Sequence, residues 1–290
     1  MNPVSSRPVF FAKLIRRCMR RRITLIKHRR SSFLGVPILF GNSFPKSGTH
    51  LLTQVLAGFT KLGPAVDTGL PTILTFDGPT GRPRPIQDVL NDLYRLQPGD
   101  VAYGHLHATL DVIAVLCRDG IAPYFIYRDP RDVVVSHVFY VTEIAPRHVH
   151  HQYYRQELHS FDERLRVSIL GRPDADIPFP DIRGRFEPYL GWLDQPEAFS
   201  LRFEDLVTRQ DETLLKIFDH ALSRGFPTPW GRETALGILR ASINPERSPT
   251  FRRGKVGGWQ EHFTESHKEL FKEVAGDLLI CLGYEQDNDW

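Results

Sequence analysis

Short runs of apolar residues alternate along the chain with longer segments in which apolar residues recur every three or four positions. The runs predict buried strands at 37–41, 100–105, 121–127 and 199–203. The periodic segments predict helices at 51–59, 85–96, 109–117, 130–143, 211–223, 231–241 and 267–281. Strands that alternate with helices form a mainly parallel sheet covered on both faces. We therefore expect a single P-loop-like α/β domain of three layers over residues 37–290.

Two stretches lack a clear period. Residues 60–84 are rich in Gly, Pro and Thr and predict a long surface loop, and residues 144–183 predict an irregular segment. The second stretch contains His148, His150, His151 and His159. Because no Cys or acid stands at ligand spacing beside them, a solvated loop bordering a pocket is favoured over a metal site.

The first 36 residues form a basic extension. Of the 37 Lys or Arg and 34 Asp or Glu in the chain, the first 66 residues hold 12 of the former and none of the latter, which leaves 25 basic against 34 acidic residues. Phe11, Leu14, Ile15 and Met19 predict a short helix with one apolar stripe and a cationic remainder. Such a helix suits an anionic membrane surface. The alternative is a poorly ordered basic tail or a transit-like leader.

Composition narrows the class of protein. With 290 residues, 41% hydrophobic and 24% charged, collagen-like, disordered and disulfide-scaffold chains are excluded. The three cysteines are an odd number at wide spacing, which favours free thiols in a reducing, cytoplasmic compartment. No window has the apolar length of a membrane span, and the N-terminus lacks the apolar core of a secretory signal.

The loop after the first strand carries the most specific motif. Residues 45–50 read Pro-Lys-Ser-Gly-Thr-His between a strand and a helix, an arrangement that directs backbone N–H groups towards an anion. A Walker A loop needs Gly before its Lys, and Pro45 stands there. No strand ending in a Walker B acid stands out either, so we expect this loop to hold an anion without a metal.

Two later segments add further cations. Arg128 follows the strand at 121–127, and Ser136 lies eight residues on, two helical turns or about 11 Å away. Both can meet only an extended ligand, such as a phosphate with its sugar. Arg252 and Arg253 stand on a glycine-rich turn, and guanidinium groups bind phosphate bidentately. Arg128 and Arg131 could instead pair with Asp132 across a helical turn, an interpretation that we favour for Arg131 alone.

The three segments resemble, in order and spacing, the signature regions of soluble cytosolic sulfotransferases that use 3'-phosphoadenosine 5'-phosphosulfate (PAPS). The likeness runs from about Gly41 to Tyr284, with residues 202–205 in the place of that family's F-Y-E-D turn. It implies that the 5'-phosphosulfate is held by Lys46, Ser47, Gly48, Thr49 and His50. It implies that the 3'-phosphate is held by Arg128, Ser136, Arg252, Arg253 and Gly254.

The resemblance also implies a catalytic base, a His within a K-x-H-L-P segment. Residues 103–107 read Tyr-Gly-His-Leu-His, so His105 is the better match, with His107 in reserve. In-line sulfuryl transfer would then need His105 to take the proton of the acceptor and Lys46 to neutralise the leaving oxygen, without a metal. The family's adenine-stacking Trp is Leu51 and its F-Y-E-D Tyr is Phe203, so the phosphate contacts are better matched than the adenine contacts. Glu204 and Asp205 are expected to brace the turn, and Trp259 and Phe263 to pack.

The predicted function is therefore PAPS-dependent sulfuryl transfer to a hydroxyl or amine. The acceptor would be a small molecule, lipid or glycan, in a pocket shaped by residues 60–84 and 144–183, and nucleic acid is not expected as a partner. One alternative is a nucleotide kinase with a degenerate P-loop, which would need magnesium. Another is a non-enzymatic module whose basic extension docks on an anionic surface. That module would leave Arg252 and Arg253 without a role.

Overall fold

The computed structural model describes residues 7–78, 80–177, 179–248 and 254–290. Its six described strands form one parallel sheet in the order β2-β4-β1-β5-β6. Strand β3 also pairs with β4, further along that strand than β2 does. The strands are β1 (Ile38–Ser43), β2 (Val66–Asp67), β3 (Ile73–Leu74), β4 (Asp100–His105), β5 (Ile121–Tyr127) and β6 (Phe199–Arg202). All six residues of the central strand β1 are buried, as expected of a parallel strand covered on both faces.

Twelve α-helices occur in the described ranges. They are α1 (Arg7–Lys27), α2 (Thr49–Leu62), α3 (Ile86–Tyr94), α4 (Leu110–Leu116), α5 (Pro130–Phe139), α6 (His151–Gln156), α7 (Phe161–Leu170), α8 (Ile182–Leu190), α9 (Phe203–Thr208), α10 (Gln210–Ser223), α11 (Arg232–Arg240) and α12 (Glu265–Cys281). A π-helical turn, Tyr140–Ile144, continues α5, and short 3₁₀ turns occur at Pro245–Arg247 and Gly258–Glu261.

Alternate residues of the central strands pack on opposite sides of the sheet. Phe40 and Phe125 belong to an apolar cluster with residues of α5, α7, α8 and α12. Leu39 and Tyr124 belong to a second cluster with residues of α2, α10 and α11. Because neighbouring side chains of a strand point to opposite faces, one sheet divides two cores. The three-layer α/β architecture predicted from the sequence is confirmed.

The two stretches predicted as irregular contain regular elements. Residues 60–84 hold β2 and β3, and residues 144–183 hold α6, α7 and the start of α8, so the prediction was wrong for both. Strands of two residues are too short to show a period. In α7 the buried residues Leu165 and Ile169 are four positions apart but surrounded by polar residues. Its clearest local signal is the capping box of Ser160 and Glu163.

Helix α1 lies against the sheet. Arg17 and Arg21 both pair with the carboxylate of Asp100, which is fully buried at the start of β4. Arg20 donates to the Asp67 carbonyl oxygen at 2.9 Å. A poorly ordered tail is therefore the wrong interpretation of residues 13–27. No helix in the described part of the chain combines the length and apolarity needed to cross a bilayer.

Candidate active site

A cavity of about 1130 Å³ opens at the carboxyl ends of the central strands. It is lined by Lys46 in the loop after β1, by His105 at the end of β4 and by Arg128 directly after β5. The connection after β1 leads to β2 at one edge of the sheet, whereas the connection after the neighbouring strand β5 leads to β6 at the other edge, so this point is a topological switch of the sheet. Open α/β sheets bind ligands in the crevice at such a switch. The fold thus brings together three groups that are far apart in sequence.

The loop between β1 and α2 has a strained backbone. Lys46 has a φ of 69° and Gly48 a φ of 95°, both in the left-handed region. A Cβ atom on residue 48 would lie 2.5 Å from Cδ2 of Phe203, so glycine is required both by conformation and by space. The turn directs the side chain of Lys46 along the cavity, where Nζ lies 3.9 Å from the centre of the Tyr140 ring.

Ser47 provides a test of whether this loop suits an anion. Its side chain is fully buried, and its Oγ atom has no hydrogen-bond partner among the described residues. A buried hydroxyl without a partner costs about 1–3 kcal/mol, so it needs a water or a ligand, although Ser47 itself does not line the cavity. Ser47 lies just before the N-terminus of α2, where unpaired N–H groups and the helix dipole favour negative charge. The loop therefore fits a phosphosulfate group. Thr49 and His50 line the cavity beside it.

His105 is held in one orientation by the end of β1. Its Nδ1 atom lies 2.9 Å from the carbonyl oxygen of Ser43, which can only accept a hydrogen bond. The Ser43 hydroxyl lies 3.0 Å from the same atom and can accept or donate, so a proton on Nδ1 suits both contacts and leaves the lone pair on Nε2. Burial lowers the pKa of His105, and His50 and Lys46 act in the same direction, whereas the bond to Ser43 opposes them. The imidazole is thus neutral near pH 7 and able to accept a proton.

His107 also lines the cavity but in a different environment. Its ring lies 5.1 Å from the centre of the Phe76 ring and 4.9 Å from that of Tyr189. Burial lowers the pKa of His107 to about 4. The described residues provide no hydrogen bond to fix its tautomer. His105 is therefore the better oriented of the two candidate bases.

Arg128 lies at another part of the cavity with Ser136 and Gly254. Its Nη2 atom donates to the carbonyl oxygen of Lys255 at 2.8 Å and to Asp132 at 3.1 Å, and its guanidinium lies 4.5 Å from the centre of the Phe203 ring. Its Nε atom is buried without a partner in the described structure. A fixed guanidinium with an unused donor fits a phosphate. The predicted ligands Arg252 and Arg253 lie outside the described residues.

Asp132 connects this group to the C-terminal loop, a role the sequence analysis missed. Besides Arg128, its carboxylate accepts hydrogen bonds from the backbone N–H groups of Gly257 at 3.0 Å and Trp259 at 2.8 Å. The expected pair of Arg131 with Asp132 is wrong, because Arg131 binds Asp129 at 2.8 Å and stacks on Trp259. The sequence itself showed only an acidic residue in the first turn of α5. Its partners 125 and 127 residues away could not be inferred.

Glu204 braces the loop that carries Arg128, as expected. Its carboxylate accepts from the backbone N–H of Asp129 at 3.1 Å and from the hydroxyl of Tyr284 at 2.7 Å. Burial raises the pKa of Glu204, and these two hydrogen bonds oppose that effect. The role of this carboxylate is therefore structural, since it fixes the backbone directly after Arg128.

The remaining wall is aromatic and comes from the two stretches expected to shape it, which contribute residues such as Phe76, His148 and Phe179. The expected solvated loop is wrong for His150, which is buried, and for the half-buried His148, whereas His159 is exposed. Burial lowers the pKa values of His148 and His150 to about 4. No group of three or more His, Cys, Asp or Glu suited to a metal occurs in the residues that the structure describes.

The predicted adenine contacts are only partly placed in the cavity. Leu51 and Phe203, which replace the family's aromatic residues, both line it, together with Gln54 and Ile243. Ser242, whose position in the sequence also suggested an adenine contact, does not line the cavity. Its hydroxyl donates to the carbonyl oxygen of Ile238 at 2.8 Å.

No protein-family model matches the chain, and no curated protein matches it in sequence. Its fold is similar to that of solved structures. One is retinol dehydratase in complex with androsterone and the inactive cofactor PAP, with a TM-score of 0.52, 16% identity, and coverage of 83% of this chain and 80% of that one. Another is the mouse sulfotransferase SULT7A1 complexed with PAP, with a TM-score of 0.53, 20% identity, and coverage of 86% and 88%. A third is retinol dehydratase with retinol and PAP, with a TM-score of 0.55, 16% identity, and coverage of 83% and 81%. At these identities the likeness establishes a shared fold.

Proposed function

We propose that this protein is a sulfotransferase that moves a sulfuryl group from PAPS to a hydroxyl or amine of an acceptor. The observation that carries the proposal is one cavity lined by an anion-binding loop, an oriented neutral imidazole and a guanidinium with an unused donor. Proteins of similar fold have been solved with PAP, the desulfated form of this donor. These observations support the enzyme class predicted from its motifs.

The donor would be held at two places. The loop at 46–50 supplies Lys46, the orphan hydroxyl of Ser47 and the N-terminus of α2 for the 5'-phosphosulfate. Arg128 and Ser136, with Gly254 and the adjacent Arg252 and Arg253, would hold the 3'-phosphate. The two sets suit a ligand with anionic groups at both ends, which a nucleoside triphosphate lacks.

The chemistry follows from these positions. Nε2 of His105 accepts the proton of the acceptor hydroxyl as its oxygen bonds to sulfur. The bond between sulfur and the bridging phosphate oxygen breaks, and Lys46 and the α2 N-terminus stabilise the negative charge left on that oxygen. The products are the sulfated acceptor, 3',5'-adenosine bisphosphate and a proton on His105. Positioning and electrostatics dominate such in-line transfers.

Calorimetry with three nucleotides tests the donor site and the rival kinase. We expect the protein to bind 3',5'-adenosine bisphosphate more tightly than adenosine 5'-monophosphate. The Arg128→Gln substitution should weaken bisphosphate binding by about 10- to 100-fold, since a charged hydrogen bond contributes about 1.5–3 kcal/mol. Monophosphate binding should change little, because that nucleotide lacks the group that Arg128 holds.

Arg118→Gln is the matched control, since Arg118 is exposed and does not line the cavity. Tighter binding of magnesium-ATP than of the bisphosphate would favour the kinase instead. Equal loss of both adenine nucleotides in Arg128→Gln would argue that Arg128 only supports the fold.

We also propose a cytoplasmic protein that contacts anionic membranes through α1. Its cysteines, Cys18, Cys117 and Cys281, are all unpaired. With Arg17 and Arg21 turned towards Asp100, the opposite side of α1 exposes Ile15, Met19, Ile23 and Ile26, which are 58–79% accessible. Exposed cations, among them Arg16, Arg22 and Lys27, surround these residues. An apolar stripe bordered by cations matches an anionic lipid surface.

Vesicle sedimentation tests this contact. We expect binding to phosphatidylserine vesicles and little binding to phosphatidylcholine vesicles. The triple variant Ile15→Ser, Met19→Ser, Ile23→Ser should lose that binding and keep its turnover. Deletion of the whole extension is a poorer test, because it would leave Asp100 buried without its cations.

A control variant, Lys216→Ser on the exposed face of α10, should bind vesicles like the unaltered protein. If the triple variant still binds the vesicles like the unaltered protein, the apolar stripe of α1 does not contact the membrane.

A further inference from the structure

Helix α8 turns one face to the cavity, and this face carries a cation. Arg185, Pro188 and Tyr189 line the cavity, at the spacing of three and four residues that places side chains on one helix face. Neither the motifs nor the proposed mechanism uses Arg185. Its guanidinium lies 4.4 Å from the centre of the Phe179 ring.

Arg185 is half-buried, and its guanidinium is held by backbone carbonyl groups. Its Nη2 atom donates to the carbonyl oxygen of Ser168 and its Nε atom to that of Asp181 at 3.4 Å. No carboxylate of the described residues lies within ion-pair distance of it. By contrast, Arg183 on the same helix pairs with Glu187 and Asp277, each at 3.0 Å.

Burial lowers the pKa of Arg185 to about 10, and the attraction of Asp181 offsets this only in part. A guanidinium held by neutral carbonyl groups in a desolvated place keeps most of its positive field. The carboxylates that line the cavity have other partners: Asp77 accepts from Thr80, Asp132 from Arg128 and Glu261 from Lys255. The cation therefore faces a cavity whose described acids are already engaged.

A row of rings connects this cation to Lys46. The Tyr140 ring lies against Lys46, His148 lies 5.8 Å from Tyr140, and His137 lies 5.8 Å from His148. Phe179, which touches Arg185, stacks on His137 at 5.0 Å. Burial, Arg185 and Lys46 all lower the pKa of His137. The two cations thus lie at opposite ends of one aromatic wall.

Tyr189 adds a second unused polar group on the same helix face. Its side chain is 2% exposed, and its hydroxyl has no hydrogen-bond partner in the described structure. A buried phenol normally finds a partner. The Tyr189 ring lies 4.9 Å from that of His107, so this phenol lies on the side of the cavity that carries the candidate bases, and Arg185 is the group available to an oxyanion at the far end of the aromatic wall.

Given the proposed sulfuryl transfer, we infer that the acceptor is a hydroxylated apolar acid whose oxyanion pairs with Arg185. Its apolar body lies against the rings of Phe76, Phe179 and Tyr140, and its hydroxyl reaches His105. Carboxylate and phosphate ester share the required chemistry. Arg185 then determines acceptor specificity without taking part in the transfer step.

The test compares acids with their neutral forms. Calorimetry would measure binding of ω-hydroxyalkanoic acids of graded chain length, their methyl esters and the corresponding hydroxyalkyl phosphates to the complex with 3',5'-adenosine bisphosphate, and initial rates would be measured with PAPS. At the chain length that spans the wall, we expect one of the anionic forms to bind about 10- to 100-fold more tightly than the ester. Comparison of carboxylates with phosphates identifies which oxyanion is preferred.

Arg185→Gln should reduce that preference to about two-fold or less while the ester and the bisphosphate bind as before. Arg183→Gln is the matched control on the same helix and should keep the preference. Thermal unfolding of each variant separates a general loss of structure from a loss of recognition. Equal binding of acid and ester by the unaltered protein, failure of both to bind, or an acid preference that survives Arg185→Gln overturns the inference. Absence of bisphosphate binding would instead overturn the proposed function itself.

Discussion

Replacement of His105 by glutamine is expected to lower turnover by about 10²- to 10⁴-fold, the usual contribution of a general base. Glutamine has a similar size, but it has no basic atom. Affinity for 3',5'-adenosine bisphosphate should be kept, because His105 acts on the acceptor. The measurement is steady-state sulfation of a phenol, with nucleotide binding followed separately.

His107→Gln is the matched control, two residues away in the same cavity. We expect it to alter the acceptor KM more than kcat, because His107 lies among aromatic rings. If His107→Gln abolishes turnover and His105→Gln does not, the base has been assigned to the wrong imidazole.

The acidity of the acceptor provides a sharper readout of the same role. A phenol with a low pKa is already ionised near pH 7 and needs no base. Nitrophenols should therefore restore much of the turnover lost in His105→Gln, whereas weakly acidic alcohols should not. Absence of this rescue would indicate that His105 positions the acceptor without taking its proton.

The pH profile follows from the direction of the shift. A base works in its neutral form, so activity falls as the pH drops through its folded pKa. Burial places the pKa of His105 below the ordinary value of 6.5. The acid limb of kcat/KM should therefore lie below pH 6.5 and disappear in His105→Gln.

The sequence predicted the sheet well where burial leaves a continuous apolar pattern. The bounds of β4 and β5 agree with the prediction, since each begins just after a glycine with positive φ, Gly99 and Gly120. Helix α8 was missed because Gly184 and Pro188 interrupt its pattern. Residues that act through distant partners were missed for a different reason. Nothing near Asp132 indicates that it holds the loop at 257–259.

The same limit explains why only some residues of the cavity could be predicted from the sequence. The loop at 45–50 was identifiable because a local turn, with glycine at residue 48, forms a geometry that suits an anion. Arg185 has no such signal, since whether an arginine on a short polar helix faces solvent or a cavity depends on how α8 packs against the sheet. The conformation of this loop was therefore predictable, and the wall that we propose to select the acceptor was not.

Lys46→Met is the second substitution with a large expected effect. Methionine keeps the apolar stem against Tyr140 but removes the charge that stabilises the leaving phosphate oxygen. Loss of one such electrostatic contact costs about 10²- to 10³-fold in kcat. The bisphosphate should bind less tightly by a smaller factor, since the N-terminus of α2 and Arg128 still hold it.

Nitrophenol acceptors separate Lys46 from His105. The charge that Lys46 neutralises develops on the donor, so an acidic acceptor should not rescue Lys46→Met, although it rescues His105→Gln. The control is Lys61→Met in the last turn of α2, where the side chain is exposed, and it should leave kcat unchanged. If Lys46→Met retains full turnover, or if nitrophenols restore it, the charge on residue 46 does not act on the leaving group. The N-terminus of α2 would then remain the electrostatic contribution of this loop.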